Sequence, residues 1–133
     1  MKLKLFIALI SLMVFQPFIK QENPITSSRP EIKSINTDYP KEGVWVQVPK
    51  GTKKITFYVE AKNTETILFW LIPTGTQTWT ERTLIGYDTR NNQTDNKFSL
   101  TWNINKPSLY DHLVVQAIGD ELVEQDLINL YME

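Results

Sequence analysis

Residues 97–119 read KFSLTWNINKPSLYDHLVVQAIG. In the first half Phe98, Leu100, Trp102 and Ile104 alternate with Ser99, Thr101 and Asn103, the two-residue period of a strand with one covered face and one wet face. In the second half Leu113, Val115 and Ala117 oppose Val114, Gln116 and Ile118, a near-continuous apolar strand ending at Gly119-Asp120, a pair suited to a tight turn. Pro107 marks a turn between the halves. Two strands that each have a face to hide need a second layer, so the stretch predicts packed sheets.

Upstream, residues 54–62 (KITFYVEAK) alternate without a break: Ile55, Phe57, Val59 and Ala61 point inward, and Thr56, Tyr58, Glu60 and Lys62 outward. Residues 66–72 (TILFWLI) are apolar on both faces, with Ile67, Phe69 and Leu71 on one and Leu68, Trp70 and Ile72 on the other. Such a strand is either covered twice or exposes a patch with a purpose. Val44, Val46 and Val48 share one face of a short strand with Trp45 and Gln47 on the other, and Pro49, lacking an amide, ends it or keeps it at an edge. Ile32 and Ile35 are out of strict alternation in a weak first strand at 31–36. Residues 78–87 (TWTERTLIGY) are expected as a mixed strand, and residues 88–96 (DTRNNQTDN), without an aliphatic or aromatic member, as an exposed loop. At the end, Ile128, Leu130 and Met132 alternate as a strand, although Leu122, Val123, Leu127, Leu130 and Tyr131 would also make a helical stripe. A last strand after a Gly-Asp turn is the reading adopted. Seven or eight strands at roughly 8 to 12 residue spacing, without helices, is an all-β sandwich pattern.

At 133 residues the chain is one domain's worth. Its first residues differ from the rest: Lys2 and Lys4 precede LFIALISLMVF at 5–15, a basic head and an apolar run that read as a secretory signal. The following QPFIKQ at 16–21 offers no small residues for a peptidase. The alternative is an uncleaved anchor over residues 3–19, short of the roughly 20 apolar residues a span needs. The expected organisation is a signal peptide or anchor at 1–21, a flexible spacer at 22–31 rich in Pro and Ser, and a sandwich at 32–133. The chain has no cysteine, and a disulfide-free exported β domain suits a bacterial envelope, secreted or membrane-tethered. Without residues 1–21 the balance is 11 Lys and Arg against 15 Asp and Glu, mildly acidic. Nucleic acid, which needs clustered basic residues, is therefore excluded as a partner. A membrane is engaged only through the N-terminal segment, and no oligomeric state follows.

The segments NKFSLTWNI and YDHLVVQAIGD, joined by a Pro turn, resemble the penultimate strand pair of bacterial immunoglobulin-like domains, whose late strands are similar to F-S-x-T-W … Y-x-x-x-V-x-A-x-D. The resemblance extends more loosely from Ile32 to Met132, with 54–62 in the place of strand B and 66–72 in that of strand C. It implies an immunoglobulin-like sandwich of seven or eight antiparallel strands, and a binding or spacer module on an exported bacterial protein. In such folds a tyrosine at the start of strand F caps the corner. Tyr110 lies an odd number of residues from Leu113, so either a bulge near Asp111-His112 turns it inward or it is not a corner tyrosine.

The residues offer little chemistry. With one histidine and no cysteine, Cys nucleophiles and multi-ligand His/Cys zinc patterns are absent. His112 has no nucleophile elbow to pair with. The acids Asp88 and Asp95, and Asp120, Glu121, Glu124 and Asp126, lack calcium-loop spacing and read as solvated loop acids. No catalytic, cofactor-binding or metal residue is assigned, no cofactor is expected, and the chain is expected not to be an enzyme.

Tryptophan is the feature most open to function. Trp70 and Trp102 fall in strong strand patterns and are expected to pack. Trp45, Trp79 and Tyr87 are the candidate ligand-binding residues, because exposed aromatics beside hydroxyl and amide groups anchor partners or stack on sugar rings. The leading expectation is an extracytoplasmic interaction module for a protein or surface polymer at a bacterial envelope. The alternative is a carbohydrate-binding accessory domain using those three residues, and a hydrolase built on His112 is the reading from another class.

Overall fold

The alternating residues 54–62 form the middle strand of one sheet. A computed structural model describes residues 28–75, 79–92 and 95–133. The expected signal or anchor, and all but the end of the spacer, lie outside the described residues. The strands are β1 (Glu31–Thr37), β2 (Lys41–Glu42), β3 (Trp45–Gln47), β4 (Lys54–Lys62), β5 (Thr66–Pro73), β6 (Thr83–Thr89), β7 (Lys97–Asn103), β8 (Leu109–Ile118) and β9 (Val123–Met132). A 3₁₀ turn, Trp79–Glu81, precedes β6.

The chain is an all-β sandwich of a three-stranded sheet, β1-β4-β7, and a six-stranded sheet, β2-β3-β9-β8-β5-β6. Eight strands have three or more residues and β2 has two. The ladders are antiparallel except that β3 runs parallel to β9, Val46 opposite Leu130. With β4 and β7 in one sheet and β5, β8 and β9 in the other, the layering is immunoglobulin-like.

Between the sheets lie Ile55, Phe57, Val59 and Ala61 of β4, Ile67, Phe69 and Leu71 of β5, Leu113, Val115 and Ala117 of β8, and Ile128, Leu130 and Met132 of β9. Burying each large aliphatic or aromatic side chain contributes roughly 1.5–3 kcal/mol. Phe57 and Phe69 meet across the layers with centroids 6.1 Å apart. Trp102 is buried in this core, in the packing role its strand pattern predicts.

The irregular spacing of Ile32 and Ile35 has a local cause. Ile32 pairs with Ala61 and Ser34 with Glu60, so Lys33 is an extra residue in the ladder. That bulge restores the parity of β1, and both isoleucines pack against the core.

Three local expectations are corrected. Val44 does not share the inward face of Val46 and Val48: it follows Gly43, whose φ is +61°, in the turn before β3, and is 63% exposed. Residues 78–87 are not one strand: Trp79–Glu81 coil into the 3₁₀ turn and β6 begins at Thr83. The loop expected at 88–96 starts later, because β6 continues through Thr89.

Tyr110 resolves the parity question. Leu109, Asp111, Leu113, Val115 and Ala117 form the buried row of β8, and Tyr110 is 56% exposed. No register shift interrupts β8, so no bulge turns the ring inward and the corner-tyrosine analogy fails.

Candidate binding face

Strand pairing fixes which side chains share the outward face of the six-stranded sheet. Trp45, Asn129, His112 and Ile72 lie in one register row. Leu127, Val114, Trp70 and Leu84 form the next, and Gln125, Gln116, Leu68 and Tyr87 the one after. On the other side of the first row, Tyr131 opposes Gln47 and Tyr110. Adjacent strands are about 4.8 Å apart, so the face is a broad, shallow platform. Its outward positions on β3, β9, β8, β5 and β6 from Gln47 to Tyr87 contain aliphatic, aromatic, amide and imidazole groups.

Aromatic rings concentrate at two places on this platform. At the β3 side Trp45 stacks on Tyr110, centroids 5.0 Å apart and planes 13° apart, and Tyr131 meets Tyr110 edge-on at 6.5 Å. At the β5 side the 3₁₀ turn places Trp79 over Trp70, centroids 5.7 Å apart. Trp70 Nε1 donates to Gln116 Oε1 at 3.1 Å, which satisfies the indole while its ring remains on the surface row.

Between Trp79 and β9 runs a shallow groove of about 350 Å³, lined by Ile72, Trp79, Val114, Gln125, Asp126 and Leu127. Its lining mixes apolar side chains with an amide and a carboxylate. The Asp126 Oδ1 accepts from the Leu127 amide at 2.8 Å.

The three sequence-predicted candidates therefore sit on one face. Trp79 borders the groove, Trp45 belongs to the other aromatic cluster, and Tyr87, 64% exposed, stands on edge strand β6 opposite Leu68. Sequence reasoning took Trp70 as packing, weighed Tyr110 only as a corner tyrosine, and did not single out Arg82 or Tyr131. The available signal was the two-faced apolar run at β5, because a strand covered on one side only must present its second apolar row to solvent.

Arg82 holds the β5-side cluster together. Its Cζ lies 4.7 Å from the Trp70 ring centroid and 4.5 Å from that of Trp79, within the range of a cation–π contact. Its Nη1 donates to the Trp79 carbonyl at 2.7 Å.

His112 also lies on this face, its Nδ1 hydrogen-bonded with Asn129 Oδ1, whose amide in turn donates to the Val44 carbonyl at 2.9 Å. The imidazole thus helps fix β3 on β9. Four of the acids singled out from sequence are engaged with backbone: Asp88 accepts from Ser99 N and Asp95 from Lys97 N, Glu124 from Ile32 N and Asp126 from Leu127 N. Asp88 and Asp95 line a polar groove of about 420 Å³ beside the three-stranded sheet, with Tyr58 and Glu60. Among the described residues no three His, Cys, Asp or Glu side chains converge to hold a metal ion, and no helix is long and apolar enough to cross a membrane.

No protein-family model matches the chain, and no curated protein matches it in sequence. Solved structures match its fold. The catalytic domain of a lytic polysaccharide monooxygenase from Listeria monocytogenes aligns with TM-score 0.50 and 11% identity over 66% of this chain and 59% of its own. A lytic polysaccharide monooxygenase from Kitasatospora papulosa aligns with TM-score 0.50 and 7% identity over 65% and 50%. A Bacillus amyloliquefaciens CBM33 protein in complex with Cu(I) aligns with TM-score 0.50 and 11% identity over 65% and 55%. The chain thus spans between half and three-fifths of the length of these three structures.

This likeness corrects one expectation. The reading of the chain as not an enzyme rests on the lack of a catalytic constellation in the sequence, whereas the structures that share its fold include lytic polysaccharide monooxygenases, which are enzymes. The copper of the third structure, however, finds no matching donor set here. Imidazole nitrogens suit copper, whereas this sequence has a single histidine and no cysteine, and the Nδ1 of His112 is engaged by Asn129. What the chain has in common with these three structures is the β-sandwich fold.

Proposed function

We propose that the chain is an extracytoplasmic module of a bacterial envelope that binds a polysaccharide through the outward face of its six-stranded sheet. The observation that carries the reading is the groove beside Trp79, lined by Ile72, Val114 and Leu127 with Gln125 and Asp126. A pyranose ring has apolar C–H faces and a hydroxyl rim, so it suits an aromatic wall and apolar floor bordered by amide and carboxylate groups. A flat platform with a second aromatic cluster at Trp45 and Tyr110 suits a chain polymer better than a small molecule, which prefers a deep pocket. The protein-or-polymer expectation narrows to a polymer, with Trp79 as the principal contact and Trp45 and Tyr87 as flanking ones.

That fold neighbours are lytic polysaccharide monooxygenases is in keeping with this choice of ligand. In the same proposal residues 1–21 export or anchor the chain, residues 22–31 are the spacer, and residues 32–133 are the binding domain, a bacterial immunoglobulin-like module.

The test is retention of the protein on a panel of insoluble and soluble polysaccharides. The expected result is saturable binding to at least one of them, with Tyr87→Ala and Trp45→Ala each weakening it less than Trp79→Ala does. Absence of saturable binding across the panel contradicts the proposal.

A further inference from the structure

The platform separates charge. A chain with 15 Asp and Glu residues places none of them among the outward positions of β3, β9, β8, β5 and β6 in the rows from Gln47 to Tyr87. The nearest acids are marginal: Glu42 on the two-residue β2, opposite Trp45, Glu81 in the 3₁₀ turn, and Asp126 at the groove rim, one oxygen of which is turned onto the Leu127 amide. Against this background stands one guanidinium. Arg82 lies against two indoles and makes no ion pair among the described residues.

The donors of Arg82 are incompletely used. Nη1 is spent on the Trp79 carbonyl, and Nε is buried without a hydrogen-bond partner among the described residues. Stacking on π faces satisfies the charge in part but consumes no N–H. A buried donor without a partner is destabilising, and a guanidinium packed against two tilted rings has already lost part of the side-chain freedom that binding would otherwise cost. It is a pre-oriented fork without its anion.

We infer that Arg82 receives a carboxylate of the bound polysaccharide, so that the ligand class is an acidic polymer containing uronic acid units. The inference rests on the polysaccharide reading above. A carboxylate is planar and pairs with the terminal nitrogens of a guanidinium, while the adjoining Trp79 accepts the ring of the same or the next sugar. The acid-free rows let a polyanion lie across the sheet with Asp126 and Glu81 at the margin of its path, although the chain as a whole is mildly acidic.

The experiment compares a polyuronate with the same polymer after chemical reduction of its carboxyl groups, so that backbone and length are shared and only the charge differs. The full chain is expected to bind the polyuronate about tenfold or more tightly than the reduced polymer at low salt, with the advantage shrinking as salt rises. Arg82→Met, which keeps an unbranched side chain against the indoles, is expected to abolish the advantage, weakening polyuronate binding about tenfold more than binding of the reduced polymer. Equal binding of the two polymers by the parent, or an equal loss of both in Arg82→Met, overturns the inference and leaves Arg82 as a brace for Trp79, while polysaccharide binding stands. If neither polymer nor any other polysaccharide is bound, the underlying reading falls and this inference with it.

Discussion

Lys106 Nζ lies 2.7 Å from Asp111 Oδ1, and the Asp111 side chain is 1% exposed. Asp111 occupies the inward row of β8 between Leu109 and Leu113, a position the two-residue period reserves for an apolar residue. Its other oxygen accepts from the Tyr110 amide at 3.0 Å, so the carboxylate ties the loop at 104–108 to the start of β8. Where an immunoglobulin-like corner would use a tyrosine, this chain uses an ion pair.

Removing Lys106 should therefore leave a buried carboxylate uncompensated. Breaking a buried pair typically costs ~3–5 kcal/mol, and because the Lys106 side chain is 38% exposed the expected loss for Lys106→Met is nearer ~2 kcal/mol. Lys106→Met with Asp111→Leu should recover most of it. Urea unfolding of the two variants checks this, and a double variant no more stable than the single one contradicts it.

The stack of Trp45 on Tyr110 is expected to help hold the short parallel strand β3 against β9, which has only three paired positions. A double-mutant cycle with Trp45→Ala and Tyr110→Ala should return a coupling of about 0.5–1.5 kcal/mol. Tyr110→Phe keeps the ring and should cost little. Coupling indistinguishable from zero would mean that the rings merely adjoin.

Alkaline stability should depend on Tyr58. Its hydroxyl donates to Asp38 Oδ1 at 3.0 Å, and that hydrogen bond to a carboxylate, followed by desolvation and the like charge that ionisation would create, raises its pKa above 10.0. Since the folded value exceeds the unfolded one, the contribution is complete below the unfolded pKa and is lost as pH rises through the folded value. Unfolding free energy of the parent should fall more steeply above pH 10.0 than that of Tyr58→Phe. Parallel curves would contradict the assignment.

Much of this fold is legible in residue spacing. The unbroken alternation at β4 and β7 gives both strands and their inward faces, because each has one covered side. The β9 strand is legible only through Ile128, Leu130 and Met132, since its outward positions also fit a helical stripe. What is not legible depends on pairing partners. The Lys33 bulge exists because β4 dictates the register of β1, and the parallel contact of β3 with β9 joins residues more than eighty positions apart. The binding face is legible in part: Trp45, Trp79 and Tyr87 can be picked out as aromatics among polar neighbours. Trp70 and Arg82 cannot, because the cluster forms only when the 3₁₀ turn places Trp79 over Trp70.

The most direct measurement is a calorimetric or fluorescence titration of one polysaccharide ligand into the parent, Trp79→Ala and, as a control on the opposite sheet, Tyr58→Ala. The proposed face predicts that Trp79→Ala weakens binding about tenfold or more with the folded spectrum retained, and that Tyr58→Ala binds as the parent does. Binding unchanged in Trp79→Ala, or lost instead in Tyr58→Ala, would place the ligand elsewhere and contradict the account.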